Sequence, residues 1–351
     1  MPIDKYQPCP CGSGKKIKFC CSADIVAELE KIQRMLDGEQ MRAALEHVNH
    51  VLEKHPDRPS LLSIKALLET ELGDTEHAEE TVKSFLEASP GSPVALAEQA
   101  RLYVQEGKPL DAVSALQEAL EGADGQLPGR IYNALRDVAL GLLSQGSILA
   151  ARAHLLLHAS LGGEDDPRSA ELLMELNSTD RIPLLLRQEW RFATCPDDAD
   201  YAPAFREAVE FMNRACWRAA LARFEELADK HGRQACIHRN IAILRGFLGR
   251  DEDAGRAWRR YAVLIEGESL DDAVEAEAMA QLLDGADASE AVDLLDVTIE
   301  LNDLDRAMET LLAHKRTPAV PVDLASLATD DSPAPKAVFT LLDREMPESG
   351  E

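Results

Sequence analysis

Shifted by 34 residues, the chain matches itself, and a repeat of that length constrains the fold more than any other feature. Ala44, Ala78 and Ala112 fall in register, as do Leu52, Leu86 and Leu120, and Glu53, Glu87 and Glu121. Pro56 pairs with Pro90, Gly73 with Gly107 and Ala66 with Ala100. After an insertion around "GADGQLPGR", Ala139 and Ala151 follow Ala100 and Ala112 at an offset of 39. A second block returns to 34, pairing Ala208 with Ala242, Ala220 with Ala254, Phe224 with Trp258 and Ala228 with Ala262. Each unit therefore reads as helix, short turn, helix. A small residue on the first helix (Ala66, Ala100, Ala139, Ala208, Ala242) lets the second approach closely. Another (Ala44, Ala78, Ala112, Ala151, Ala220, Ala254) does the same on the second helix. Val82, Leu116, Leu155, Phe224 and Trp258 fill the space between units. "LGDTEHA", "EGKPLDA" and "LGRDEDA" supply the turn, with glycine as the helix stop. "HP" and "SP" close the second helix, because proline cannot continue it.

The period, the two small positions, the glycine turn and the closing proline resemble the tetratricopeptide repeat (TPR) family over residues 24–160 and 200–266. The family's large aromatic early in the first helix is replaced by Leu62 and Leu96. The resemblance implies an all-α fold, a TPR-like α-solenoid of antiparallel helix pairs. Composition agrees, since aromatics are only 5% while hydrophobic residues reach 45%, a balance that disfavours a β-sandwich. The expected organisation is an N-terminal cysteine motif over 1–23, repeats over 24–161, and an irregular helical joint over 162–200 with a helix near "IPLLLRQEW". A second repeat block follows over 201–267, then capping or degenerate helices over 268–316, and a linker with a short C-terminal helix over 317–351.

Four of the seven cysteines crowd into "PCPCGSGKKIKFCC", spaced Cys9-x-Cys11, eight residues, Cys20-Cys21. Four thiolates match a closed tetrahedral zinc site, with Zn–S bonds of about 2.3 Å. So short a segment has almost no core, so Zn²⁺ binding would supply its folding free energy. Gly12 and Gly14 allow backbone N–H groups to turn toward the sulfurs, and Lys15, Lys16 and Lys18 offset the negative charge of a four-thiolate site. The stretch resembles the SEC-C motif, the zinc-binding tail of the SecA translocation ATPase, with Cys9, Cys11, Cys20 and Cys21 at the ligand positions and Cys21 where SecA has histidine. The resemblance implies a docking knob for the ribosome or a SecB-like secretion chaperone, with Lys15, Lys16 and Lys18 at the contact. The competing reading is a metal staple for the first helix that docks nothing. No Gly-x-x-x-x-Gly-Lys-Ser/Thr loop of the SecA motor occurs.

Residues 1–22 carry four lysines against Asp4, so of the total charge of −26 the remainder holds −29. A body that acidic repels phosphate backbones and membrane surfaces and favours basic partners. No apolar run reaches membrane-spanning length, and "MPIDKYQPCPC" is too polar for a signal core, so the expected location is the cytoplasm. Cys195, Cys216 and Cys236 are scattered, with His238 beside Cys236 but no second ligand pair. His47, His50 and His55 share a helix without a metal motif. No Gly-x-Ser-x-Gly, dinucleotide or His-Glu-x-x-His pattern is present, and no small-molecule site is expected. Helical register puts Phe205, Val209, Met212, Arg239 and Ile243 on the inner face of the second block, able to hold a partner's helix or to be filled by the chain's own residues 181–192 or its C-terminal helix. The corresponding positions of the first block are Ser60, Ser63, Leu67, Arg101 and Val104. The sequence thus points to a non-enzymatic, zinc-binding adaptor for protein partners. RNA or ribosome binding through the basic knob is the alternative, and an activity carried by residues 319–351 or a further segment is a third.

Overall fold

The computed structural model describes residues 3–123, 127–162, 168–178, 182–188 and 190–284. The expected helices beyond Asp284, the linker and the terminal helix lie outside the described residues. By internal contact the chain divides into two compact units between Asp137 and Val138.

The first unit opens on a small knob holding one isolated antiparallel bridge between Pro8 and Lys16 and a 3-10 turn over Ile17–Phe19. Helices follow in sequence: α1 (Val26–Asp37), α2 (Met41–Lys54), α3 (Pro59–Glu71), α4 (Thr75–Ala88), α5 (Pro93–Gln105), α6 (Pro109–Gly122) and the start of α7 (Gly129–Ser144). From α1 to α6 each helix packs on the next, and α3 also packs on α5, which is the contact pattern of stacked hairpins. α2 and α4 stop at Lys54 and Ala88, just ahead of "HP" and "SP". α3, α5 and α6 begin on proline, whose missing N–H costs nothing at a first helical position. The second unit holds the end of α7, α8 (Ile148–Gly162), α9 (Arg168–Ser178), α10 (Leu184–Arg187), α11 (Ala202–Asn213), α12 (Trp217–Lys230), α13 (Ala235–Phe247), α14 (Asp251–Ile265) and α15 (Leu270–Asp284). Here α11 to α15 again pack in sequence.

Every small position of the repeat is fully buried: Ala44, Ala66, Ala78, Ala100, Ala112, Ala139, Ala151, Ala208, Ala220, Ala242 and Ala254. Their lack of bulk sets the distance between paired helices. Leu116, Leu155, Phe224 and Trp258 are equally sealed, and Phe205 meets Phe224 edge-to-face at 5.0 Å.

The hairpin turns share one geometry. Gly73, Gly107, Gly146 and Gly249 all take left-handed φ values, from +71° to +78°. The residue after each donates its N–H five residues back, from Asp74 to Glu69, Lys108 to Tyr103, Ser147 to Leu142 and Arg250 to Arg245. This is the long bond of a Schellman cap, and it satisfies a carbonyl that the helix end leaves orphaned. Glu39 and Ala215 occupy the same site in two further hairpins, at φ +57° and +56°, with the same long bonds from Gln40 to Met35 and Cys216 to Phe211. Without glycine there, those two turns carry no sequence signal.

Charge is also organised. In the first unit the carboxylate of Glu98 is fully buried between Arg130, at 2.7 Å, and Arg101, at 3.4 Å. Arg101 reaches on to Glu71 and Asp137, both at 2.7 Å, and Arg130 also donates to the Ser63 carbonyl. This chain of ion pairs ties α3, α5 and α7 along one face.

Candidate metal centre

The Sγ atoms of Cys9, Cys11, Cys20 and Cys21 all lie within 4.8 Å of one another. Cys9 and Cys21 are 3.7 Å apart, and Cys11 and Cys20 are 3.5 Å apart. A tetrahedron with metal–sulfur bonds of about 2.3 Å has edges of about 3.8 Å, so these spacings fit one metal ion, whereas disulfides would need about 2.05 Å. All four are free thiols. Among the described residues this is the one cluster of potential ligands, and Cys195, Cys216 and Cys236 form no second site.

Local sequence builds this cage. Cys9 N–H donates to the Lys15 carbonyl at 2.8 Å and Ile17 N–H to Gln7, folding the two arms together. Gly12, at φ +76°, donates to the Cys9 carbonyl at 3.1 Å and closes the turn that contains the first two ligands. That turn aims the Cys11 amide at the Cys9 sulfur and the Ser13 amide at the Cys11 sulfur. Glycine therefore serves the sulfurs indirectly, its own amide being spent on a carbonyl. The 3-10 turn then delivers Cys20 and Cys21. The hydroxyls of Ser13 and Ser22 lie 3.1 Å from the Cys20 and Cys9 sulfurs.

Four thiols so close compete for protons. Hydrogen bonds from Cys11 and then Cys9 hold Cys21 far below the ordinary thiol range. Cys21, then Cys9 and burial, drive Cys11 far above it. Cys9 is drawn down by Cys11 but raised more by Cys21 and burial, and is pushed up to about 11. Without a metal, the cluster favours the thiolate at Cys21 and disfavours it at Cys9 and Cys11. A divalent cation would allow all four to ionise, because ligation takes the thiolate form.

The knob is not a free head. Cys9, Cys11 and Ile17 belong to one buried cluster with Ile25, Leu29 and Ile32 of the first helical turn and α1, Val48 and Val51 of α2, and Leu61, Ile64 and Leu68 of α3. Ser63 donates its hydroxyl to the Pro10 carbonyl at 2.7 Å, and Ser92 to that of Cys11 at 3.4 Å. Arg58 donates to the Cys21 carbonyl at 2.6 Å while pairing with Asp24. A Cβ built on Gly12 would stand 2.3 Å from Val94 Cγ2 on α5. Ser60, also buried, faces Cys21. Register assigns Ser60 and Ser63 to the inner face of the first repeats, and both of these positions meet the knob. Short-range sequence patterns carry no signal for this docking, since Arg58 and Ser63 sit at the start of α3 and Ser92 and Val94 at the start of α5, far along the chain from the knob.

Lys15, Lys16 and Lys18 are exposed. In the second unit Phe205, Met212 and Ile243 are core residues, and Val209 is half-buried. Arg239 donates to the Arg191 carbonyl and to Tyr261 Oη. The segment 190–193 runs over α13, held by Asn240, whose side chain bonds both the N–H and the carbonyl of Ala193. Trp190 lies 4.6 Å from Trp258. Part of the register-derived inner face is thus covered by the chain's own joint.

No protein-family model and no curated protein sequence matches the chain. Among solved structures it is similar to one of Naa15/Naa10 bound to HypK-THB, with a TM-score of 0.29 and 15% identity, over 90% of this chain and 54% of that one. The chain spans about half the length of that relative. Among the described residues no helix is long and apolar enough to cross a membrane.

Proposed function

We propose that the chain is a non-enzymatic adaptor in which Cys9, Cys11, Cys20 and Cys21 hold one Zn²⁺ and the repeats present surfaces to protein partners. The observation that carries this reading is the cluster of four sulfurs, all within 4.8 Å of one another and seated on the first repeats, with Cys9 and Cys11 buried in the same core as α1 to α3. Four sulfurs with no open position suit a structural ion rather than a catalytic one. Repeat arrays expose large surfaces of low chemical specialisation, which serves recognition. By its resemblance to the SEC-C motif, the knob would bring the adaptor to the ribosome, a SecB-like chaperone or the translocation machinery in the cytoplasm.

Metal analysis of the purified chain should find one zinc per molecule, lost when Cys9 and Cys11 become serine. Binding to purified ribosomes and to an acidic export chaperone should be compared for the wild type and for a variant with Lys15, Lys16 and Lys18 all changed to glutamate. Equal binding by both proteins would remove the knob from partner recognition and leave it a staple.

A further inference from the structure

The exposed side of the knob carries a feature that neither the metal nor the docking explains. Phe19 is 66% exposed and Tyr6 53%, although aromatic residues make up only 5% of the chain. Both stand among lysines. The Lys18 ammonium lies 5.2 Å from the Tyr6 ring centre and 5.4 Å from that of Phe19, and Lys16 lies 5.5 Å from Tyr6. Lys18 also donates to Tyr6 Oη at 3.2 Å. Lys15, next to Lys16 in sequence, is also exposed. Among the described residues none of these three lysines forms an ion pair, in a chain whose arginines at 58, 101, 130, 245 and 259 all do. Flat rings interleaved with unpaired cations form a surface for ligands that are both planar and anionic.

We propose that this face binds single-stranded nucleic acid, with bases stacking on Tyr6 and Phe19 and phosphates meeting Lys15, Lys16 and Lys18. An acidic polypeptide would use the lysines alone and leave both rings idle, which is why the rings favour a nucleic acid. Two stacking rings set a footprint of about two or three nucleotides. The acidic remainder of the chain, at −29, repels the flanking strand and confines contact to the knob. The inference goes beyond the adaptor reading and requires only that the knob be folded, which zinc content reports separately.

The test is fluorescence anisotropy of labelled oligouridylate and oligothymidylate titrated with the full chain at about 50 mM salt, where phosphate contacts are strong. Zinc content and melting curves are recorded for every variant. Both oligonucleotides should bind. Phe19→Ala and Tyr6→Ala should each weaken binding roughly 5- to 100-fold with zinc retained, the range expected for loss of one stacking platform. Lys16→Glu with Lys18→Glu should abolish it. Should Phe19→Ala lose zinc, Phe19→Leu and Phe19→Tyr decide, because leucine keeps the bulk without the π-face while tyrosine keeps both. No binding by the wild type, equal binding by the zinc-loaded leucine variant, or displacement by polyglutamate as effective as by unlabelled oligonucleotide would overturn the proposal. The last outcome would mark the face as a site for acidic protein.

Discussion

Alanine at position 12 should damage the protein more than alanine at position 14, and the difference measures how firmly the knob is docked. Both glycines sit in the left-handed region, at φ +76° and +71°, so each substitution costs about 1–2 kcal/mol in backbone conformation. They differ in surroundings. A Cβ at position 14 has nothing within 4 Å, whereas one at position 12 would lie 2.3 Å from Val94 Cγ2 and 2.8 Å from Val94 Cβ. Val94 is β-branched on a helix and has one strongly preferred rotamer, so it cannot swing aside. The knob must shift, and overpacking of this kind costs about 1–3 kcal/mol. Gly12→Ala should therefore lose about 2–5 kcal/mol in urea unfolding followed by circular dichroism, and Gly14→Ala about 1–2 kcal/mol. Val94→Ala, added to Gly12→Ala, should return about 1–2 kcal/mol as a coupling energy in the double-mutant cycle. Equal losses at 12 and 14, with no coupling to Val94, would show that the knob does not rest on α5 and would refute this account of the docking.

Other expectations follow from the same structure. Chelation, or Cys9→Ser, should lower the melting temperature of the first unit as well as release metal, because Cys9 and Cys11 share the core of α1 to α3; unchanged melting after complete metal loss would contradict this. Arg101→Met should cost about 3–5 kcal/mol, since it removes one partner of the fully buried Glu98 carboxylate, and a loss below about 1 kcal/mol would show the ion-pair chain to be idle. Burial raises Asp251 from 3.8 to about 6, against the opposing hydrogen bond from Ser147. Its protonated form is favoured by folding, so stability falls as pH rises from about 4 to 6 and stays lower above. Asp251→Asn should accordingly stabilise by about 1–2 kcal/mol at pH 8 and by little at pH 4, and a gain independent of pH would reject this assignment. Glu39→Gly should be neutral or stabilising by up to about 1 kcal/mol, while Gly73→Ala at the equivalent turn should destabilise by about 1–2 kcal/mol in thermal melts.

Much of the fold was legible in the sequence because close helix approach demands alanine at fixed places, and a repeated demand leaves a periodic trace. The turns were legible at Gly73, Gly107 and Gly249 for the same reason, and silent at Glu39 and Ala215, where an L-residue accepts the same φ. The four ligands were legible because this cage draws all its sulfurs from one short segment. The location of that cage was not. Its contacts to Ser63, Ser92 and Val94 depend on tertiary packing, and serine on a helix carries no mark of what it will touch. Register likewise assigns Phe205, Met212 and Ile243 to a face and offers the chain's own residues 181–192 as one way to fill it, but only the hydrogen bonds of Arg191 and Ala193 to α13 show the joint taking up part of that side. The exposure of Tyr6 and Phe19 was hidden too, because an aromatic beside a cysteine cluster reads equally well as core.

The knob's two kinds of contact impose an order on its assembly. The sulfurs are at most 12 residues apart, so the cage can close as soon as the first turn of the chain is made. Its seat is not complete until Ser92, 81 residues after Cys11, and Val94 just beyond it have been made. At about 5–20 residues per second of synthesis, Ser92 emerges about 4–16 seconds later. During that interval a nascent chain would display a metal-closed tip with its apolar underside bare, so metal supply and chaperone cover matter most before the third hairpin is born.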